Sequence, residues 1–443
     1  MGTRNESLTD RAYLRVTLPF MLSTLTQPLM GAANTAVMGR LPDPKYIAAV
    51  ALGAILFNNL YWLFGFLRVS TSGYAAQALG AASKEQRMLA FLQPLFLALL
   101  IGLGCIALQR PILSAYLDLI DPAEDVAALC RVYYNILIWG APLVLFNYVA
   151  LGWLMGQLRV RASVFMQVSS NLLNILLSVW FVFGWGLQIE GVAAATLLSQ
   201  AYGAVVGGCL MAIYGDFEYR RAPYKRIFAP QALVSMLTVN ANLMIRTACL
   251  LTVNNILAAV GAALGTAVLA ANAVLLQIKD LMSYLIDGMA NGAAIFTGRS
   301  LGQRNAALFQ QTLRLTYKWL LFLVLFLTIG FFLTGGFFIT CFTDLSEVAA
   351  LAEQYRIYVL LYPLVAGVGL ALYGFFTGAT HTAPVRDMML IALAVFWFAE
   401  KCLTPRYGND GLWMAFLLFV GTQSLVLRIL LQRLRRKISL RAD

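Results

Sequence analysis

Long apolar runs without a single charge recur along this chain. They occupy residues 16–39, 88–109, 132–158, 162–189, 191–215, 319–343 and 357–385. A helix rises about 1.5 Å per residue and the hydrocarbon core of a bilayer is about 30 Å thick, so about 20 such residues cross it. Three further runs fit if each tolerates an internal charge: 46–82 around Arg68, 227–260 around Arg246, and 266–298 around Lys279, Asp280 and Asp287. Runs at 388–404 and 411–431 complete twelve. The composition agrees, with 60% hydrophobic and only 12% charged residues; a water-soluble surface needs about twice that charge. The fold class is an all-α polytopic membrane protein. The stretch 1–15 is polar and shows no signal-peptide cleavage pattern, so the first span is expected to be retained.

The net charge of +12 has a topological reading. With twelve spans both termini lie on one side. If that side is cytoplasmic, the inner segments hold most of the Lys and Arg, while the outer loops hold more acids than bases. Arg428, Arg433, Arg435, Arg436, Lys437 and Arg441 alone crowd the C-terminal segment. The positive-inside rule thus expects both termini in the cytoplasm and removes the need for a nucleic-acid partner.

The chain also echoes itself at a spacing of about 221 residues, half its length. Gln77-Ala78-Leu79-Gly80 answers Arg299-Ser300-Leu301-Gly302. Ala141-Pro142-Leu143-Val144 answers Tyr362-Pro363-Leu364-Val365. The pair Gly152 and Gly156 answers Gly374 and Gly378, and Gly191 answers Gly411. Two pseudo-symmetric six-helix lobes follow: 1–215, a cytoplasmic linker at 216–229, and 230–443 with a basic tail. Six spans per lobe is an even number, so the lobes share one topology. Rocking one lobe against the other would give alternating access to a cleft between them.

The six-plus-six repeat, the stretch Gly31-Ala-Ala-Asn-Thr-Ala-Val-Met-Gly39 and the stretch Phe66-Leu-Arg-Val-Ser-Thr-Ser-Gly-Tyr-Ala-Ala-Gln77 resemble the multidrug and toxic compound extrusion (MATE) transporters. Asn171-Leu-Leu-Asn174, Gly191-Val-Ala-Ala-Ala-Thr196, Asn240 to Arg246, Asn272-Ala-Val-Leu275 and Ile286-Asp-Gly288 are similar to the DNA-damage-inducible F (DinF-like) branch. The resemblance covers nearly the whole chain. It implies a proton- or sodium-coupled exporter of bulky amphipathic or cationic compounds in an inner membrane. On that reading the ion gradient replaces any cofactor, the partners are the bilayer and small molecules, and the chain works as a monomer.

A charge at the bilayer centre costs roughly 2.5–3.5 kcal/mol on insertion scales. Arg68, Arg246, Lys279, Asp280 and Asp287 therefore need a reason to be there. One is mutual neutralisation across helices. The other is a carboxylate that exchanges a proton, and here Asp287 leads, followed by Asp280, which lies two turns away on the same face. Lys279 projects about 100° from Asp280, so their pairing does not follow from spacing.

The departures from the resemblance bear on the same question. The family pattern has acids where this chain has Asn34, Ser178 (after Asn174) and Asn242. An amide or hydroxyl binds or hydrogen-bonds but carries no proton near neutral pH, so the first lobe lacks its usual carboxylates. A weakly coupled transporter and a flippase of lipid-linked sugars, using Arg68, Arg246 and Lys279 as a cationic lining, are the alternatives. Nothing points to an enzyme. There is one histidine, His381, no H-E-x-x-H pattern and no Walker loop, and the six scattered cysteines form no C-x-x-C. Trp62, Trp153 and Tyr284 are candidate shelves for a flat cation.

Overall fold

In lipid every backbone polar group needs a partner within the protein, and each apolar run meets that need as a helix. The computed structural model describes residues 8–24, 44–215, 229–343 and 345–442, and among these no strand occurs. The helices are α1 (Asp10–Thr24), α2 (Pro44–Leu63), α3 (Phe66–Gly80), α4 (Lys84–Ala107), α5 (Gln109–Ile120), α6 (Glu124–Leu137), α7 (Ala141–Gly156), α8 (Val160–Val179) and α9 (Ile189–Gly215). They continue as α10 (Pro230–Leu264), α11 (Thr266–Gly302), α12 (Ala306–Phe342), α13 (Ser346–Gly378), α14 (Ala383–Tyr407) and α15 (Asn409–Ala442). Among the described residues 11 helical segments are long and apolar enough to cross a membrane. With the first span, of which α1 is the described part, they account for the twelve expected. Residues 25–43, which hold Pro28 and Asn34, lie outside the described residues, as does nearly all of the expected linker.

The internal duplication is written into the packing. Left-handed backbone at non-glycine residues costs roughly 1–2 kcal/mol each and is uncommon. Here it recurs at matched turns: φ is 53° at Ala82 and 52° at Arg304, 59° at Leu158 and 51° at Thr380. The residue after each member of the first pair caps the next helix. Ser83 Oγ accepts from the Gln86 amide at 3.2 Å and Asn305 Oδ1 accepts from the Leu308 amide at 2.9 Å.

The glycine echoes mark the closest helix contacts. A Cβ on Gly152 would overlap the Arg68 carbonyl of α3, and one on Gly156 the Ser72 carbonyl. In the other unit, a Cβ on Gly374 would overlap the Ala290 carbonyl of α11, and one on Gly378 the Ala294 carbonyl. Lipid supplies no hydrophobic drive for helix pairing, so small residues that let backbones touch do that work. A third pair shows the repeat with its roles exchanged. Gly203 on α9 makes room for Asn147 of α7, whereas Gly369 on α13 makes room for Ser424 of α15.

Packing divides the chain into Leu25–Leu237 and a second unit made of Met1–Thr24 with Thr238–Asp443. This differs from the expected 1–215 and 230–443: α1 sits with the second unit. The reason is local. Gly288 and Gly292 on α11 open a groove that admits the Met21 backbone and the Thr17 side chain. Tyr13 stacks on Phe296 at 5.7 Å and shares a 2.9 Å hydrogen bond with Thr316, and Thr24 Oγ1 donates to the Tyr284 carbonyl at 2.9 Å. Where α1 begins, Asp10 accepts from Lys318 and from the Trp319 indole, both at 2.8 Å.

Helix α5 went unforeseen. It is too short to span, and it buries Leu113 and Leu117 while Leu119 is 80% exposed, the pattern of a helix lying in a membrane interface.

Two measurements test this packing. Valine at Gly156 or Gly378 must push backbone apart, so a loss of about 1–3 kcal/mol is expected as a lower melting temperature in detergent. Alanine at Gly208, where a Cβ meets open space, should leave the melting temperature unchanged. The hydrogen bond from Lys318 holds the Asp10 carboxyl below its usual value. The stability it lends is therefore present above the ordinary carboxylate range and lost as pH falls through the lowered value. A melting-temperature gap between the native chain and Asp10→Asn should be seen at neutral pH and close in acid.

Candidate functional site

Asp280 and Asp287 lie on one helix of the second unit, α11. Lys279, Ser283 and Asp287 follow at intervals of four, and Asp280 joins them from the next position. Lys279 and Asp280 pair after all, Nζ to Oδ1 at 2.5 Å, because the long lysine stem swings back across its own helix. The lysine side chain is 10% exposed and the aspartate 45%, so the pair has one buried end and one exposed end.

Two aromatic rings cover the buried end. The Lys279 ammonium lies 5.7 Å from the Tyr362 centroid on α13 and 5.6 Å from that of Phe416 on α15, and these two rings stack at 6.1 Å. Ser283 Oγ donates to the Lys279 carbonyl at 2.9 Å and shares a 2.8 Å hydrogen bond with the Tyr362 hydroxyl. Tyr362 is within electrostatic reach of Lys279, Asp280 and Asp287 together. Asp287 is itself partly buried and engaged with the protein.

A neutral polar lock closes the next layer. Asn272 and Asn409 exchange amide hydrogen bonds at 2.7 and 2.9 Å, and the Trp413 indole donates to Asn272 Oδ1 at 2.9 Å. Tyr358 stacks on Trp413 at 6.2 Å and donates to Asp410 at 2.8 Å. Tyr362, Phe416 and Ser283 were not singled out from the sequence. The spacing of Lys279, Ser283 and Asp287 is the one signal that could have found the serine.

The remaining expected residues lie elsewhere. On α10, Asn242 donates to Thr382 Oγ1 at 3.2 Å and accepts from Arg386 Nη1 at 3.3 Å, while Arg246 lies over the Tyr373 ring at 4.1 Å. In the other unit Asn174 is fully buried and donates to Thr196 Oγ1 at 3.0 Å, and Ser178 is also fully buried. Arg68 on α3 is partly exposed and makes no ion pair among the described residues. Asn34 lies outside the described residues. Trp153 is 1% exposed with its indole bonded to the Arg87 carbonyl at 3.0 Å, so it packs the core and offers no shelf. No group of His, Cys, Asp and Glu that could hold a metal occurs among the described residues.

Two duplicated helical units, each a bundle of membrane-crossing helices with polar residues locked inside, define a membrane transporter. The chain belongs to the MatE family, whose model it matches over residues 19–180 and 243–400. It is 32% identical to the DNA damage-inducible protein F of Escherichia coli over 435 residues, covering 96% of this chain and 92% of that protein. It is 24% identical to the multidrug export protein MepA of Staphylococcus aureus over 195 residues, 44% of this chain and 43% of MepA. In fold it is similar to an outward-facing multidrug resistance MATE family transporter of the MOP superfamily, with a TM-score of 0.87 at 20% identity over 97% of this chain and 96% of the other.

The asparagine lock can be tested apart from transport. Asn272→Leu strands the Asn409 amide and the Trp413 indole in a dry site, each at about 1–3 kcal/mol. The variant should melt several degrees lower, and the double variant Asn272→Leu with Asn409→Leu should recover part of the loss.

Proposed function

We propose that the chain is a secondary active exporter that exchanges a proton for a bulky amphipathic compound by alternating access of its two lobes, in an inner membrane with both termini cytoplasmic. The observation that carries the coupling is the cluster of Lys279, Asp280, Ser283 and Asp287 around Tyr362. Asp280 is the partner of a buried ammonium, so protonating it would strand that charge at a cost of several kcal/mol. Asp287 lies two turns along α11 from Lys279, is partly buried and is within electrostatic reach of Tyr362, and we take it as the proton carrier. The first lobe offers Asn174 and Ser178 in buried hydrogen-bonding roles, and neither an amide nor a hydroxyl releases a proton near neutral pH.

Support for an exporter comes from the family and from relatives named for multidrug export. A monomer needs no second chain to complete the cluster, since α11, α13 and α15 supply every member.

The test is efflux of a fluorescent cation such as ethidium from proteoliposomes. An imposed pH gradient should drive it in the native chain and a sodium gradient should not. Asp287→Asn should abolish gradient-driven efflux while leaving dye binding intact. Unchanged efflux in that variant would remove Asp287 from the mechanism.

A further inference from the structure

Several cations of the second unit have a local acid. Lys279 has Asp280, Arg386 has Asp387 at 2.6 Å, and Arg356 has Glu353 at 2.8 Å. Arg246 has none among the described residues. Its guanidinium carbon lies over Tyr373, 4.1 Å from the ring centroid, and its Nε is buried with no hydrogen-bond acceptor. The polar residue one turn away on α10, Asn242, is already engaged, its Oδ1 by Arg386 and its Nδ2 by Thr382. Six residues before Arg246, Asn240 is 3% exposed and neither its Oδ1 nor its Nδ2 has a partner. This stretch of α10 therefore holds unspent hydrogen-bonding capacity inside a span.

An aromatic face compensates only part of the cost of holding an arginine inside a span, and a counter-ion would supply more. The ring holds the guanidinium at one place, and its planar fork matches the two oxygens of a carboxylate, sulfonate or phosphate. Arg246 as a residue is only partly buried.

We propose that Arg246, held over Tyr373, is an anion-binding subsite that takes the acidic end of an amphiphile. The inference deepens the exporter reading and rests on it, for it adds acidic amphiphiles to the cationic compounds expected from the sequence. The acidic end belongs either to a small amphiphile or to a lipid headgroup.

The experiment measures saturable binding of 8-anilinonaphthalene-1-sulfonate and of its uncharged parent, N-phenyl-1-naphthylamine. The full chain is held in phosphatidylcholine nanodiscs, with empty discs subtracted. Arg246→Gln should weaken the sulfonate about tenfold and leave the parent unchanged. Arg246→Lys, which keeps the charge and loses the fork, should fall in between, and Tyr373→Leu should weaken the sulfonate selectively. Equal sulfonate affinity in the native chain and in folded Arg246→Gln overturns the proposal. If the Gln variant does not fold, equal affinity in Arg246→Lys and Tyr373→Leu overturns it. Adding phosphatidylglycerol to the discs separates the sources: competition with the sulfonate assigns the subsite to a headgroup, and no competition assigns it to a small amphiphile. No gradient is involved, so intact binding with absent efflux would count against export alone.

Discussion

Direct contact between helix backbones, made possible where a side chain is absent, underlies this architecture. Water does not press helices together inside a bilayer, and the attraction left is short-range. At Gly152 and Gly156 in one unit, and at Gly374 and Gly378 in the other, α7 and α13 lie against carbonyl groups of α3 and α11. On the same helix pair, a few turns away, Lys279 of α11 lies against Tyr362 of α13, with Phe416 of α15 beside it, while Asp280 is partly exposed.

The spans were legible because the bilayer imposes one length and one polarity on everything that crosses it. The repeat was legible because small residues must recur where helix backbones touch, as at Gly152 and Gly156 answered by Gly374 and Gly378. The home of α1 was not legible: hydropathy says that 16–39 crosses but carries no information on which helix it meets, and the groove at Gly288 and Gly292 decides that. Helix α5 was missed because a short two-faced segment has neither the length nor the uniform polarity of a span.

The candidate site was legible in part. Lys279, Asp280 and Asp287 announced themselves through the expense of charge in lipid. Their partners did not. Tyr362 and Phe416 are ordinary residues of apolar helices until packing lays them against an ammonium, and the angular argument against a pair of helix neighbours overlooked the reach of a lysine stem. Trp153 misled for the converse reason, since an aromatic ring reads alike whether it lines a surface or fills a core.

The exchanged pair has a consequence for how the two halves could have diverged. Asn147 faces Gly203 in one unit, and Ser424 faces Gly369 at the matching place in the other. From a common ancestor with one arrangement, the second cannot be reached by either substitution alone. A side chain added before its opposite glycine appears collides with its neighbour, and a glycine gained first leaves a gap in the seam. The intermediate must be a small residue on both sides, such as alanine. A change at either position therefore reads differently according to what stands opposite it.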